Sequence, residues 1–153
     1  MILASRNEHK VRELGEILPG TDLRALPEGV ESPPETGVTF EENALIKARS
    51  AREATGEVVV ADDSGLEVDA LDGRPGVYSA RYAGEGATDA GNLARVLSEL
   101  AETGPGGAEG RSGSGPGHTA RYVCVIALID DSGEHLFRGT CEGWMIQEPR
   151  GDG

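Results

Sequence analysis

The chain has 153 residues, with 14 Lys and Arg against 27 Asp and Glu, a net charge of −13 and two cysteines. That length suggests one domain, able to bury a core without staples. The charge argues against broad nucleic-acid or anionic-membrane binding, which needs a basic face, but leaves room for one phosphate chain held by a metal and a few local cations. No apolar run approaches the roughly 18–20 residues of a membrane span. Met1 leads into a short apolar run and then Arg6 and Lys10, without a signal-peptide pattern. The expectation is a soluble, cytoplasmic protein.

Ile2-Leu3-Ala4 reads as a short first strand. Lys10 to Leu18 reads as a helix with Val11, Leu14 and Leu18 on one face, ended by Pro19-Gly20. Pro27 to Gly37 is rich in Pro and Gly and reads as loop. Thr39 begins a second helix, with Glu42 three residues on in a capping-box pattern. Its apolar face is Phe40, Ala44, Ala48 and Ala51; Asn43 and Lys47 sit one turn apart on another face. Val58 to Ala61 reads as a buried strand that ends in Asp62-Asp63-Ser64-Gly65. Asp69 to Gly76 is turn-rich, and Asp89 is placed to cap a helix through Leu93, Val96, Leu97 and Leu100.

Thr103 to Gly117 is too rich in glycine to pack a core and reads as a flexible surface loop. Tyr122 to Ile129 and Leu136 to Cys141 flank the turn signal Asp130-Asp131-Ser132-Gly133, which makes a β-hairpin. Cys124 and Cys141 are expected as buried, reduced thiols facing each other across it. The fold class is α/β.

Several groups of residues are candidates for chemistry. The segment Ser5-Arg6-Asn7-Glu8-His9-Lys10 joins a strand to a helix, where free backbone N–H groups and the helix dipole favour an anion. Ser5 and Asn7 can donate to phosphate oxygens, and Lys10 and Arg6 can supply charge. Spacing alone favours a plain N-cap followed by a solvated basic face. Asp62 and Asp63 are adjacent on extended backbone and point to opposite sides, so both cannot easily bind one metal. One suits a metal or a water, and the other suits support of the site. Lys47 and Glu35 also read as an ordinary surface lysine and loop acid. His9, His118 and His135 lack metal spacing, and His118 and His135 are expected at the surface. Ser64 lacks the setting of a serine nucleophile.

Four ordered runs go further: Ser5-x-Asn7-x-x-Lys10-x-x-Glu13-Leu14, Thr39-Phe40-Glu41-Glu42-Asn43-Ala44-x-x-Lys47-Ala48, Ala61-Asp62-Asp63-Ser64-Gly65-Leu66 and Pro75-Gly76-Val77-Tyr78-Ser79-Ala80-Arg81-Tyr82. In this order they closely resemble the inosine triphosphate pyrophosphatase family, the bacterial XTP/dITP diphosphatases. The resemblance implies an elongated, two-lobed α/β fold with a mixed sheet, flanking helices and a central nucleotide cleft, and a homodimer. It implies Mg²⁺-dependent hydrolysis of ITP, dITP and XTP to monophosphate and pyrophosphate, which clears deaminated purines from the nucleotide pool.

By the same resemblance, Ser5, Arg6, Asn7, Glu8, His9 and Lys10 form the triphosphate-binding loop. Glu35 and Asp63 hold the metal, Asp63 is also the general base, Lys47 contacts phosphate and Ser64 contacts substrate. Asp62 and Asn43 support the site. The family's Gly-Phe-Gly-Tyr-Asp-Pro and Ser-His-Arg motifs, which grip base and ribose, do not occur in this sequence. The expectation is therefore weak nucleotide binding and poor base selectivity, with a non-catalytic nucleotide-binding remnant as the alternative reading.

Overall fold

The computed structural model describes residues 1–103 and 117–146. Apart from its two end residues, the Gly-rich loop expected over 103–117 lies outside the described residues. The chain forms β1 (Ile2–Leu3), α1 (Glu8–Ile17), α2 (Phe40–Thr55), β2 (Val59–Val68), α3 (Asp89–Glu102), β3 (His118–Asp130) and β4 (Gly133–Met145). Two short 3₁₀ helices, Asp69–Leu71 and Gly76–Arg81, connect β2 to α3. The strands make one four-stranded sheet in the order β1-β2-β3-β4. β1 runs parallel to β2, pairing Ile2 with Val59 and Leu3 with Val60. The described residues fall into two compact units. One is Met1–Asp63 with Cys124–Arg138; the other comprises the described parts of Ser64–Val123 and Gly139–Gly153.

In the first unit, Ile2, Leu3, Val59, Val60 and Ala61 are buried with Val125, Ala127 and Ile129 of β3. α2 adds Phe40, Ala44, Ala48 and Ala51, the apolar face read from the sequence. Three small alanines on that face leave room for close packing and give up little side-chain entropy. Arginines tie α2 to the β3–β4 turn and the start of β4. Arg49 makes two 2.7 Å hydrogen bonds to Glu134, Arg52 reaches Asp131 at 2.6 Å, and Arg138 reaches Glu41 at 2.8 Å.

The N-terminus of α2 is capped by Thr39, whose Oγ1 accepts the Glu42 N–H at 3.1 Å. The Glu42 carboxylate reaches one residue beyond the expected capping box and accepts the Val38 N–H at 2.7 Å. Gly56 closes the helix in the left-handed region, φ 69°, where a side chain is strained. Thr39→Ala is expected to cost about 1 kcal/mol. In a thermal melt that appears as a fall of about 2–4 °C in Tm.

In the second unit, Val68, Leu71, Val96, Leu100 and Ala120 form a core against which Leu66, Tyr82 and Met145 pack. The run Pro75–Tyr82 is wired into this core by side chains. Ser79 Oγ accepts the Leu66 N–H at 2.9 Å and donates to the Gly76 carbonyl at 2.6 Å. Buried Asn92 accepts the Ala83 N–H at 2.8 Å and donates to the Ala80 carbonyl at 3.0 Å, so its amide is satisfied by the same segment.

Several expectations change. α1 begins at Glu8, two residues early, because Asn7 caps it; Leu18 is its exposed C-cap and not part of a packed face. The cap of α3 is Thr88, which accepts the Gly91 N–H, and Asp89 is the first helical residue. The largest change concerns β2. It does not stop at Ala61 but continues through Asp62-Asp63-Ser64-Gly65 to Val68. β2 lies between β1 and β3 in the strand order, and its pairing with β1 covers only Val59 and Val60. Both cysteines are exposed, not buried. Burial along β3 falls on Val123, Val125, Ala127 and Ile129, which puts Cys124 out of phase, and β4 contributes no buried residue. His118 is half-buried and lines a cavity of about 280 Å³ with Leu97, Leu100, Ala101, Met145 and Ile146.

Candidate active site

Lys47 is the hub of the candidate site. It projects from α2, and its Nζ donates to Glu35 Oε1 at 2.9 Å and to Asp63 Oδ1 at 3.3 Å. Its side chain is 15% exposed, against 31% for Glu35 and 10% for Asp63. A loop acid, a helix lysine and a strand acid are thus brought together, far apart in sequence. Two carboxylates share one ammonium in a half-dry place.

The titration of these groups follows. Burial disfavours the Lys47 ammonium, but the hydrogen bond to Glu35 and the charges of Asp63, Glu35 and Asp62 outweigh it, and its pKa is raised. Burial raises the Asp63 pKa first, and the charge of Glu35 adds to it; Lys47 and Asn43 oppose this without cancelling it. The ammonium is therefore favoured by its surroundings while the Asp63 carboxylate is not. Asp63 Oδ2 is buried and has no hydrogen-bond partner. Leaving such an oxygen unsatisfied costs about 1–3 kcal/mol, more for a charged group.

Asp62, next in the chain, goes elsewhere. Its Oδ2 accepts from Lys10 Nζ at 2.6 Å, with side-chain exposures of 44% for Lys10 and 17% for Asp62. The two adjacent acids of β2 serve two different lysines, as alternation along an extended strand requires. Cys124 lies near this pair. Burial chiefly, and then Asp62, raise its thiol pKa, while Lys10 opposes.

The N-terminal segment is organised as a capped helix start. Asn7 Oδ1 accepts the His9 and Lys10 N–H groups at 2.9 and 3.4 Å, and Ser5 Oγ accepts the Asn7 N–H at 3.1 Å. Glu8 is an exposed acid in the first turn, and His9 Nδ1 lies 2.9 Å from Arg12 Nη2. Arg6 is exposed but not free of the chain. It donates to the Val30 carbonyl, in the loop that leads to Glu35. The Leu26 N–H binds the Ser5 carbonyl at 3.1 Å. The strand-to-helix segment and the Glu35 loop are therefore stitched together. Asn43 is fully buried, and its Oδ1 accepts the Gly37 N–H at 2.8 Å. Ser64 is exposed and belongs to the second unit.

Sequence reasoning missed three connections: Lys10 with Asp62, Arg6 with Val30, and Asn43 with Gly37. Only the last left a trace, a glycine where the chain must run against a helix. A Cβ at Gly37 would stand 2.6 Å from Glu42 Cβ and 2.7 Å from Asn43 Oδ1.

Among the described residues no group of three or more His, Cys, Asp and Glu side chains is placed to hold a metal. Glu35 and Asp63 alone are hard oxygen ligands, and one of them carries a buried oxygen lacking a partner. Such a pair does not make a closed cage. It suits Mg²⁺, which keeps several waters and is commonly held by one or two carboxylates plus substrate phosphates.

This α/β fold has counterparts among known proteins. The Ham1 family model matches residues 1–153, and the chain belongs to that family. It is 47% identical over 160 residues to the dITP/XTP pyrophosphatase of Mycobacterium tuberculosis (strain ATCC 25618 / H37Rv), covering 100% of this chain and 74% of that protein. It is 45% identical over 156 residues to the dITP/XTP pyrophosphatase of Bacillus subtilis (strain 168), covering 99% and 74%. Among solved structures, a HAM1 protein from Coxiella burnetii matches with a TM-score of 0.83 at 40% identity, over 98% of this chain and 74% of that one. The Staphylococcus aureus Ham1 protein matches with a TM-score of 0.83 at 37% identity, over 99% and 74%. Among the described residues no helix is long and apolar enough to cross a membrane.

Proposed function

We propose that this chain is a Mg²⁺-dependent nucleoside-triphosphate pyrophosphohydrolase acting on the deaminated purine nucleotides dITP, XTP and ITP. The observation that carries the reading is the Glu35–Lys47–Asp63 cluster, two carboxylates on one lysine with the Oδ2 of Asp63 buried. The names of the relatives, dITP/XTP pyrophosphatases, support the substrate class. A homodimer, which the family resemblance implies, and a cytoplasmic location belong to the same proposal.

In this reading Ser5, Asn7 and Lys10 meet the triphosphate at the start of α1, where the helix dipole favours an anion. Arg6 keeps the segment in place through Val30. Asp62 holds Lys10 until phosphate competes for the ammonium. Lys47 offsets phosphate charge, and Ser64 contacts substrate. Glu35 and Asp63 would hold Mg²⁺, which supplies charge neutralisation and Lewis acidity when bound. Asp63 takes the proton of the attacking water as the bond between the α- and β-phosphates breaks. One water is consumed, and the products are a nucleoside monophosphate and pyrophosphate.

A substrate panel tests this. Pyrophosphate release from dITP, XTP and ITP is expected with Mg²⁺ and is expected to vanish on chelation with EDTA. Nucleotide binding without turnover would instead favour a non-catalytic nucleotide binder. Faster turnover of dUTP than of dITP would move the substrate class to modified pyrimidines.

A further inference from the structure

α2 buries one polar side chain among its apolar ones. Asn43 is fully buried, in company with Phe40, Ala44, Ala48 and Ala51. Burying an amide costs free energy unless its hydrogen bonds are made, so packing alone would favour an apolar residue here. One end of the amide is used: Oδ1 accepts the Gly37 N–H at 2.8 Å. Gly37 lies two residues after Glu35, and the space where its Cβ would stand is filled by Glu42 and by Asn43 itself. The Glu35 loop is thus pressed onto α2 at that point.

The other end of the amide is a donor without a partner. Asn43 Nδ2 and Asp63 Oδ2 are both buried without a hydrogen bond, one a donor and the other an acceptor. The Asn43 amide lies within hydrogen-bonding reach of the Asp63 carboxylate. A ligand carboxylate that gives one oxygen to a cation is commonly held through its other oxygen by a neighbouring donor.

We infer that Asn43 is a positioning residue for divalent-cation binding, fixing the Glu35 loop through Gly37 and the Asp63 carboxylate through its amide. The inference rests on the proposed reading of Glu35 and Asp63 as the cation ligands. Asn43 touches neither substrate nor cation. It sets how far apart and in what orientation the two carboxylates present their oxygens.

The test is Mn²⁺ binding to the full chain without nucleotide, followed by the electron paramagnetic resonance of free Mn²⁺, with circular dichroism as the check on folding. The wild-type chain is compared with Glu35→Gln, Asn43→Leu and Gly37→Ala. Leucine fills the volume of asparagine without its polar groups. Alanine at Gly37 attacks the same contact from a partly exposed loop, so it decides the matter if the core variant does not fold. Asn43→Leu and Gly37→Ala are each expected to weaken Mn²⁺ binding about 10–100-fold, the range typical of partners that orient metal ligands. Mn²⁺ binding that is lost in Glu35→Gln but unchanged in folded Asn43→Leu and Gly37→Ala would overturn this inference alone. A wild-type chain that does not bind Mn²⁺ would overturn both the cation reading and this inference.

Discussion

Asp63→Asn is expected to lower kcat by about 10²–10⁴-fold, the range associated with loss of a positioned general base, and at the same time to raise Tm at neutral pH. Both effects come from one feature. Asp63 is 8% exposed, carries an oxygen without a partner, and has a pKa raised by burial and by Glu35. A carboxyl whose folded pKa lies above its unfolded value is stabler folded when protonated. The penalty of ionising it is present above the folded pKa and disappears below the unfolded value of 3.8. Asparagine keeps the shape and removes the charge. The gain in Tm is therefore expected to be largest near pH 7 and to shrink as the pH falls through the raised pKa of Asp63. Thermal melts of both proteins across that range check it. A variant less stable than wild type at pH 7 would contradict the argument, and retained turnover would remove Asp63 as the base.

Lys47→Met carries the opposite sign for stability. The methionine keeps the aliphatic stem packed and deletes the ammonium that Glu35 and Asp63 share. Breaking a buried ion pair by removing one partner costs about 3–5 kcal/mol, and the lower end applies here because Glu35 is partly exposed. The pKa of Lys47 is raised, so its stabilisation is fully present below its unfolded value of 10.5 and is lost only as the pH rises through the folded value. The deficit of the variant should thus span the neutral range. It should narrow in acid, where the two carboxylates protonate. It should also narrow with Mg²⁺ if the pair accepts a cation, so Tm is expected to rise more with added Mg²⁺ in Lys47→Met than in wild type. Turnover should fall with the loss of charge offset to phosphate. A Tm unchanged from wild type at pH 7 would show that the cluster is not the electrostatic centre argued here.

The legible parts of the molecule were those set by local chemistry. The Thr39 cap and the Phe40, Ala44, Ala48 and Ala51 face of α2 follow from hydroxyl capping and helical period, and both stand in the structure. The turn at Asp130 to Gly133 follows from its residues as well; Asp130 Oδ1 accepts from the Ser132 N–H and hydroxyl at 2.7 and 2.6 Å. What local chemistry could not reveal depends on partners distant in sequence. Asp62-Asp63-Ser64-Gly65 stands at the expected end of the strand, yet β2 runs through it to Val68. The cysteines read as small buried hydrophobes, but their phase on β3 and the uncovered β4 expose them.

The same division holds for the candidate site. Adjacent acids on extended backbone must diverge, and they do, Asp63 toward Lys47 and Asp62 toward Lys10. Which lysine each acid meets was not legible, since that depends on where α1 and α2 lie against β2. Arg6 reads as a spare cation for phosphate, but in the folded chain the Val30 carbonyl claims it. Asn43 reads as a polar residue beside Lys47; its burial and its bond to Gly37 emerge only when the Glu35 loop closes over the helix.

The central claim is that the Glu35–Lys47–Asp63 cluster supports hydrolysis of a deaminated purine triphosphate between its α- and β-phosphates. Phosphorus NMR of dITP incubated with this chain and Mg²⁺ tests it most directly. The account predicts the resonances of a nucleoside monophosphate and pyrophosphate growing together. Orthophosphate and a nucleoside diphosphate as the products, or dITP left intact, would contradict it.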